Sequence, residues 1–244
     1  MFEFLRSIIK NVPILNRVAR IIYVSSVDLL ERDEISRTKV NPYSELEDNY
    51  KVIFIHIPKN AGNGVAMSLF DRQPSGHNFI TLYRDYDNKK YNSYFSFCFC
   101  RCPYDRLYSA YTYLRQGGFG IYDKEFSEKY LSKFTSFQEF VLELKNDQFS
   151  KLITRWCHFI PQYKFACDEN ENLLVQYVAR YEKIDEEMDF LRKKLHLLSK
   201  ENKVVNRSKK SNVIDIYTPE MREIVHSVYY KDFEIFGYQK QSLH

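Results

Sequence analysis

The stretch from Lys51 to Phe70, KVIFIHIPKNAGNGVAMSLF, constrains the fold more than any other part of the chain. The run VIFIHI is continuous rather than alternating, the pattern of a strand covered on both faces of a parallel sheet. Pro58 ends the run, Lys59 follows, glycines stand at 62 and 64, and apolar residues then resume at helical spacing. A strand entering a glycine-containing turn and then a helix makes an anion site. Backbone N–H groups converge there, and the helix N-terminus carries partial positive charge. The usual nucleotide loop, G-x-x-x-x-G-K-[ST], places lysine after its glycines. Here Lys59 comes first, and no Gly-Lys-Ser/Thr follows.

The rest of the chain supplies partners for that unit. NSYFSFCFCR reads as a second strand, and NLLVQYVARYE contains a third. Helices are expected at 64–72, 104–116, 135–145, 151–160 and 185–198, the last with Asp185 as its cap and Met188, Leu191, Leu195 and Leu198 on one stripe. A final helix opens at Thr218-Pro219, a cap followed by proline at the first helical position, and turns Met221, Ile224, Val225, Val228 and Tyr229 inward. Strands alternating with helices predict an α/β class, a P-loop-like single domain with a central, mostly parallel sheet flanked by helices. At 244 residues the chain suits one domain. The expected division is an N-terminal helical segment, 1–50, and a main domain, 51–244.

Composition narrows the function classes. Charged residues at 28% and hydrophobic residues at 44% describe a folded globular chain. A net charge of +4 suits an anionic ligand but is too small to argue for nucleic acid by itself. The 20 Tyr and 19 Phe stand against only 7 Gly, which fits either a wide apolar core or stacking surfaces for sugars or bases. Cys98, Cys100, Cys102, Cys157 and Cys167 have neither metal-site spacing nor a disulfide framework, so free thiols in a reducing compartment are expected and no metal is. Near the N-terminus, Arg6, Lys10, Pro13, Arg17 and Arg20 interrupt the apolar residues, and no stretch approaches the ~20 residues of a membrane span. A helix packed on the domain is the simple expectation; the alternative is a peripheral membrane contact, with basic residues set among Phe2, Phe4, Leu5, Ile8 and Ile9.

A second motif gives the first its meaning. FSFCFCRCPYDRLYSAYTYL, Phe95 to Leu114, sets Arg101 at a strand end, opens a helix at Pro103, and brings the hydroxyl of Ser109 one and a half turns later. Arginine there offers a planar fork to phosphate oxygens. PKNAG and this segment, in this order, resemble the two cofactor motifs of the sulfotransferases that use 3′-phosphoadenosine 5′-phosphosulfate (PAPS), in particular the carbohydrate (glycan and polysaccharide) branch. HFIPQYKF, VARYEKIDEEMDFL and the closing YYKDFEIFGY resemble further family segments, so the likeness runs from about Lys51 to Tyr238. It implies that Lys59, Asn60, Ala61, Gly62, Asn63 and Gly64 wrap the 5′-phosphosulfate, with Lys59 at the bridging oxygen, and that Arg101 and Ser109 hold the 3′-phosphate. Asn60, Asn63 and Gly64 replace the loop's usual hydroxyl residues, and Cys102 stands where Asn or Asp is common. In related enzymes a loop at the position of Arg207, Lys209 and Lys210 closes on the 3′-phosphate or on an acidic acceptor.

Transfer to a hydroxyl needs a base titrating near neutrality, for which histidine is the natural choice. His77, in SGHNFITLYRDY between the two motifs, matches the position of the base in some branches. His158 is the runner-up, with Glu182 and Asp85 behind it; His56, inside the strand run, reads as a core residue. The resemblance implies a hydroxyl acceptor, best matched by a glycan, with 3′-phosphoadenosine 5′-phosphate (PAP) as product. Golgi members carry an anchor that this sequence lacks, so a bacterial cytoplasmic enzyme is expected. The alternatives are a P-loop kinase, disfavoured because Asn60 rather than Ser or Thr follows Lys59, and a non-catalytic polyanion-binding protein. The glycine pair in RQGGFG suggests a lip near the acceptor cleft, flanked by Tyr111, Tyr113, Phe119 and Tyr122.

Overall fold

A computed structural model of the chain describes residues 41–74, 76–197 and 213–240. The expectations for residues 1–40 and for Leu198, Arg207, Lys209 and Lys210 lie outside them.

Among the described residues three parallel strands form the sheet: β1 (Val52–Ile55), β2 (Phe95–Cys100) and β3 (Tyr177–Arg180), with β2 in the centre. Val52 pairs with Phe95 and Phe97 with Tyr177, which fixes the register. Successive strand residues point to opposite faces, and each face is covered. On one side Val52, Phe54, Phe97, Phe99 and Ala179 meet Val65, Ala66 and Leu69 of α2 (Gly62–Phe70), with Leu46 of α1 (Glu45–Tyr50) in the same cluster. On the other, Ile53, Ile55, Cys98 and Cys100 meet Ile80 and Tyr83 of α3 (Ile80–Tyr86). Burial on both faces is why the strand sequences run apolar without alternation. Cys98 and Cys100 share the face turned to α3, and all five cysteine thiols are free.

Helix α4 (Asn88–Ser93) leads into β2, and α5 (Pro103–Arg115) leaves it. Around α5 gathers an all-helical core in which Leu107, Ala110 and Leu114 meet Phe126 of α6 (Ile121–Phe126) and Phe140 of α7 (Phe137–Glu143). A π-helical turn, Ser127–Leu131, extends α6. The helix expected at 151–160 is instead α8 (Asp147–Ile153): the Asn146 side chain accepts from Gln148 N and Phe149 N, so the helix starts earlier. Turns follow it as far as Ile160. After α9 (Tyr163–Ala166) and β3, a 3-10 turn, Tyr181–Lys183, feeds α10 (Ile184–Lys194). Asp185 is therefore not the cap; it sits with Glu186 and Glu187 in the first turn, where carboxylates favour the helix dipole. Thr218 caps α11 (Pro219–Val228) as expected, and α12 (Tyr230–Ile235) closes the fold.

Candidate active site

In a parallel sheet every strand delivers its carboxyl end to the same edge, the usual place for a ligand. β1 delivers His56 to Ala61, β2 delivers Arg101 and Cys102, and β3 delivers Tyr181 and Glu182. Hydrogen bonds join them. Arg101 Nη1 donates to the Lys59 carbonyl at 3.1 Å, its guanidinium lies 4.3 Å from the centre of the Tyr181 ring, and Cys102 N donates to Glu182 Oε1 at 2.7 Å.

The loop is wound tightly. Lys59 and Ala61 take φ of 72° and 61°, a conformation that costs a side-chain-bearing residue on the order of 1 kcal/mol and clusters at functional sites. Gly62 is needed for a different reason, close approach. A Cβ there would stand 1.8 Å from Cδ2 of the buried His56 ring. The first backbone N–H groups of a helix have no intrahelical acceptor, and Ala61 has no side chain with which to cap those of α2. Asn63 is exposed at this end, and Gly64 is half-buried. Asn60 is turned the other way: 1% exposed, its Nδ2 donates to Phe99 O at 2.6 Å and to Gln162 Oε1 at 2.7 Å. It braces the loop from beneath rather than lining it.

Three cations meet at this edge. The half-buried Lys59 has its pKa pushed down to about 8, first by burial and then by the charge of Arg101, with Arg106 adding to the fall and Asp123 opposing it. Arg106 is 2% exposed; its Nε holds the Pro58 carbonyl at 3.0 Å, and its Nη2 has no partner among the described residues. Arg101 Nε is likewise buried without one. Ser109, half-buried on α5, makes no side-chain hydrogen bond among the described residues. Such a concentration of like charge and spare donors fits an anion with several oxygens.

Beside the loop lies a chain of histidines. The His56 and His77 rings are 4.3 Å apart and those of His77 and His158 6.3 Å, while His158 Nε2 is 3.2 Å from Asp123 Oδ1. His77 Nδ1 lies 2.9 Å from the His56 carbonyl. A carbonyl only accepts, so Nδ1 carries the hydrogen and Nε2 of the neutral ring carries the lone pair. Burial, partly offset by that bond, lowers the His77 pKa from the ordinary 6.5. Burial, reinforced by the two other histidines, pushes His56 down to about 3. His158 is paired through Nε2, and its Nδ1 is buried without a partner among the described residues. Asp123 also accepts from Tyr113 Oη and Phe119 N, each at 3.0 Å. Burial acts to raise its pKa, but these hydrogen bonds win and the net shift is downward. Lys59 Nζ lies 3.5 Å from the centre of the Tyr113 ring, a cation–π contact.

Sequence reasoning missed two residues that hold this arrangement. Gln162, wholly buried, accepts from Asn60 and from Arg101 N, donates to Arg101 O at 2.8 Å, and has its own N–H held by Asp232. It therefore joins the two motifs side by side. Arg106 is the other, and its place inside the second motif was the available signal. Glu182 is taken up by Cys102 N and Tyr238 Oη, and Asp85 pairs with its neighbour Arg84. Among the described residues no group of three or more His, Cys, Asp and Glu could hold a metal ion, and no helix is long and apolar enough to cross a membrane.

None of the curated proteins and no solved structure matches the chain. A family model does, the one described as the sulfotransferase family, and it matches residues 45–239, from α1 through the last helix. The chain belongs to the sulfotransferase family.

Proposed function

We propose that this sulfotransferase takes its sulfonate from PAPS and gives it to a hydroxyl of an acceptor, best matched by a carbohydrate, in a bacterial cytoplasm. The observation that carries the reading is the bond from Arg101 Nη1 to the Lys59 carbonyl, which makes the uncapped α2 terminus and the arginine of the second motif one cationic site. Lys59 and the N–H groups of Gly62, Asn63 and Gly64 would receive the 5′-phosphosulfate. Arg101 and Ser109 would receive the 3′-phosphate, and the family resemblance gives Arg207 and Lys209 a part in cofactor binding as well. His77 is the base. Its Nε2 takes the acceptor proton as the acceptor oxygen bonds to sulfur and the sulfur–oxygen bond to the 5′-phosphate breaks. The electron pair stays on the departing phosphate, where the Lys59 charge stabilises it.

Transfer of labelled sulfonate from PAPS to a panel of hydroxyl acceptors tests this. His77→Ala should lower turnover by roughly 10² to 10⁴, the usual contribution of a general base, while PAP affinity stays within about two-fold. In the wild type the acidic limb should fall below pH 6.5, because a lowered pKa keeps the base neutral to lower pH. Normal turnover in a folded His77→Ala protein, with loss in His158→Ala, would move the role to His158.

A further inference from the structure

The turn between α5 and α6 carries an aromatic ring that no core claims. Phe119 is 89% exposed, and the next apolar residue, Ile121, is 55% exposed. A single exposed apolar side chain is ordinary; the construction beneath this one is not. Gly117 N donates to Leu114 O at 2.9 Å, Gly118 N to Tyr113 O at 3.0 Å, and Phe119 N to Asp123 Oδ2 at 3.0 Å. Gly117, Gly118 and Gly120 have φ of 97°, 61° and 83°, and a Cβ on Gly118 would come within 2.3 Å of the Asp123 side chain. The turn is therefore shaped and fastened, with its ring left outside.

The fastening group also belongs to the catalytic end of the molecule. The carboxylate of Asp123 that takes Phe119 N takes His158 and the Tyr113 hydroxyl too, and the Tyr113 ring faces Lys59 Nζ. One buried carboxylate thus sets the position of the exposed ring relative to the group that would meet the donor's sulfonate. An acceptor that used this ring would have to offer it a flat apolar face and still present a hydroxyl. A pyranose ring does both, with C–H groups on its face and hydroxyls on its rim.

We propose that Phe119 is an acceptor platform on which the C–H face of a pyranose sugar stacks. This rests on the sulfotransfer reading above and deepens it. Stacking on an exposed aromatic is worth about ten-fold or more in affinity where it has been measured for other flat ring ligands.

The test uses the full chain saturated with PAP on an array of neutral and acidic hexose oligosaccharides, with PAP binding followed separately by calorimetry. Wild type and Phe119→Trp should bind the same oligosaccharides. Phe119→Ala and Phe119→Leu, the second apolar but without a ring, should bind them about ten-fold more weakly, and all four proteins should bind PAP alike. Oligosaccharide binding by the Ala and Leu variants as tight as that of the wild type would overturn the platform. So would a wild type that binds no saccharide yet sulfonates a simple phenol such as 4-nitrophenol. A wild type that fails to bind PAP would bring down the sulfotransfer reading itself, and the platform with it.

Discussion

Replacing Gln162 by leucine should loosen both cofactor motifs at once, and the size of the effect follows from its contacts. The side chain is fully buried, and its amide meets three groups: Asn60 Nδ2, Arg101 N and Arg101 O. Asn60 Nδ2 keeps its bond to Phe99 O, so two backbone groups of the buried Arg101 lose their partners outright. An orphaned buried polar group costs about 1–3 kcal/mol, which puts the loss at roughly 3–5 kcal/mol once the weakened Asn60 contact is included. For a domain of this size each kcal/mol lowers Tm by about 2–4 °C, so a fall of roughly 10 °C is expected. A total stability of about 10 kcal/mol, the middle of the usual range, would leave the variant folded at room temperature. Because Arg101 would no longer be held beside Lys59, PAP affinity should also fall, by about ten-fold for one displaced charged hydrogen bond. Thermal melting and calorimetry with PAP measure the two effects, with the exposed Gln148→Leu as control, expected within about 0.5 kcal/mol of wild type. A Gln162→Leu protein that melts within about 3 °C of wild type and binds PAP normally would refute the bridging role.

Two further outcomes are expected. Gly62→Ala should destabilise the protein although alanine is the better helix former by about 1 kcal/mol, because its Cβ would meet the packed His56 ring at 1.8 Å and overpacking costs typically 1–3 kcal/mol or more; a higher Tm for the alanine variant would refute that. Lys59 is charged below its lowered pKa of about 8 and loses its proton as pH rises through that value. kcat/KM for PAPS should therefore decline above about pH 8 in the wild type, and Lys59→Arg, which stays charged, should lack that limb; a wild-type profile flat to pH 10 would count against the assignment.

The strands, the longer helices and the two motifs were readable because each is local. Continuous apolar strands, Pro103 at a helix start and the Thr218-Pro219 cap all act within a few residues. What escaped acts across the chain or is too short for a period. Helices α3, α4 and α6 are six or seven residues long, under two turns, so no apolar stripe can repeat. Gln162 reaches Arg101 across 61 positions, and Asp123 reaches His158 across 35; neither residue type in its local sequence announces that contact. His56 was readable as a buried residue and is one. Its further roles, a ring that requires glycine at 62 and a carbonyl that sets the His77 tautomer, exist only once the chain has folded back. Asn60 shows the converse: a loop position suggested a ligand contact, and the fold turned the side chain inward.

The central claim is that the edge holding Lys59 and Arg101 reads a nucleotide phosphorylated at both the 5′ and 3′ positions. Calorimetric titration of PAP against adenosine 5′-phosphosulfate, which lacks the 3′-phosphate, measures that reading in the wild type and in Arg101→Ala. The wild type should prefer PAP by about ten- to one-hundred-fold, the worth of a hydrogen bond to a charged group, and Arg101→Ala should lose most of that preference while holding adenosine 5′-phosphosulfate nearly as before. Equal affinity of the wild type for the two ligands, or equal losses for both in the variant, would contradict it.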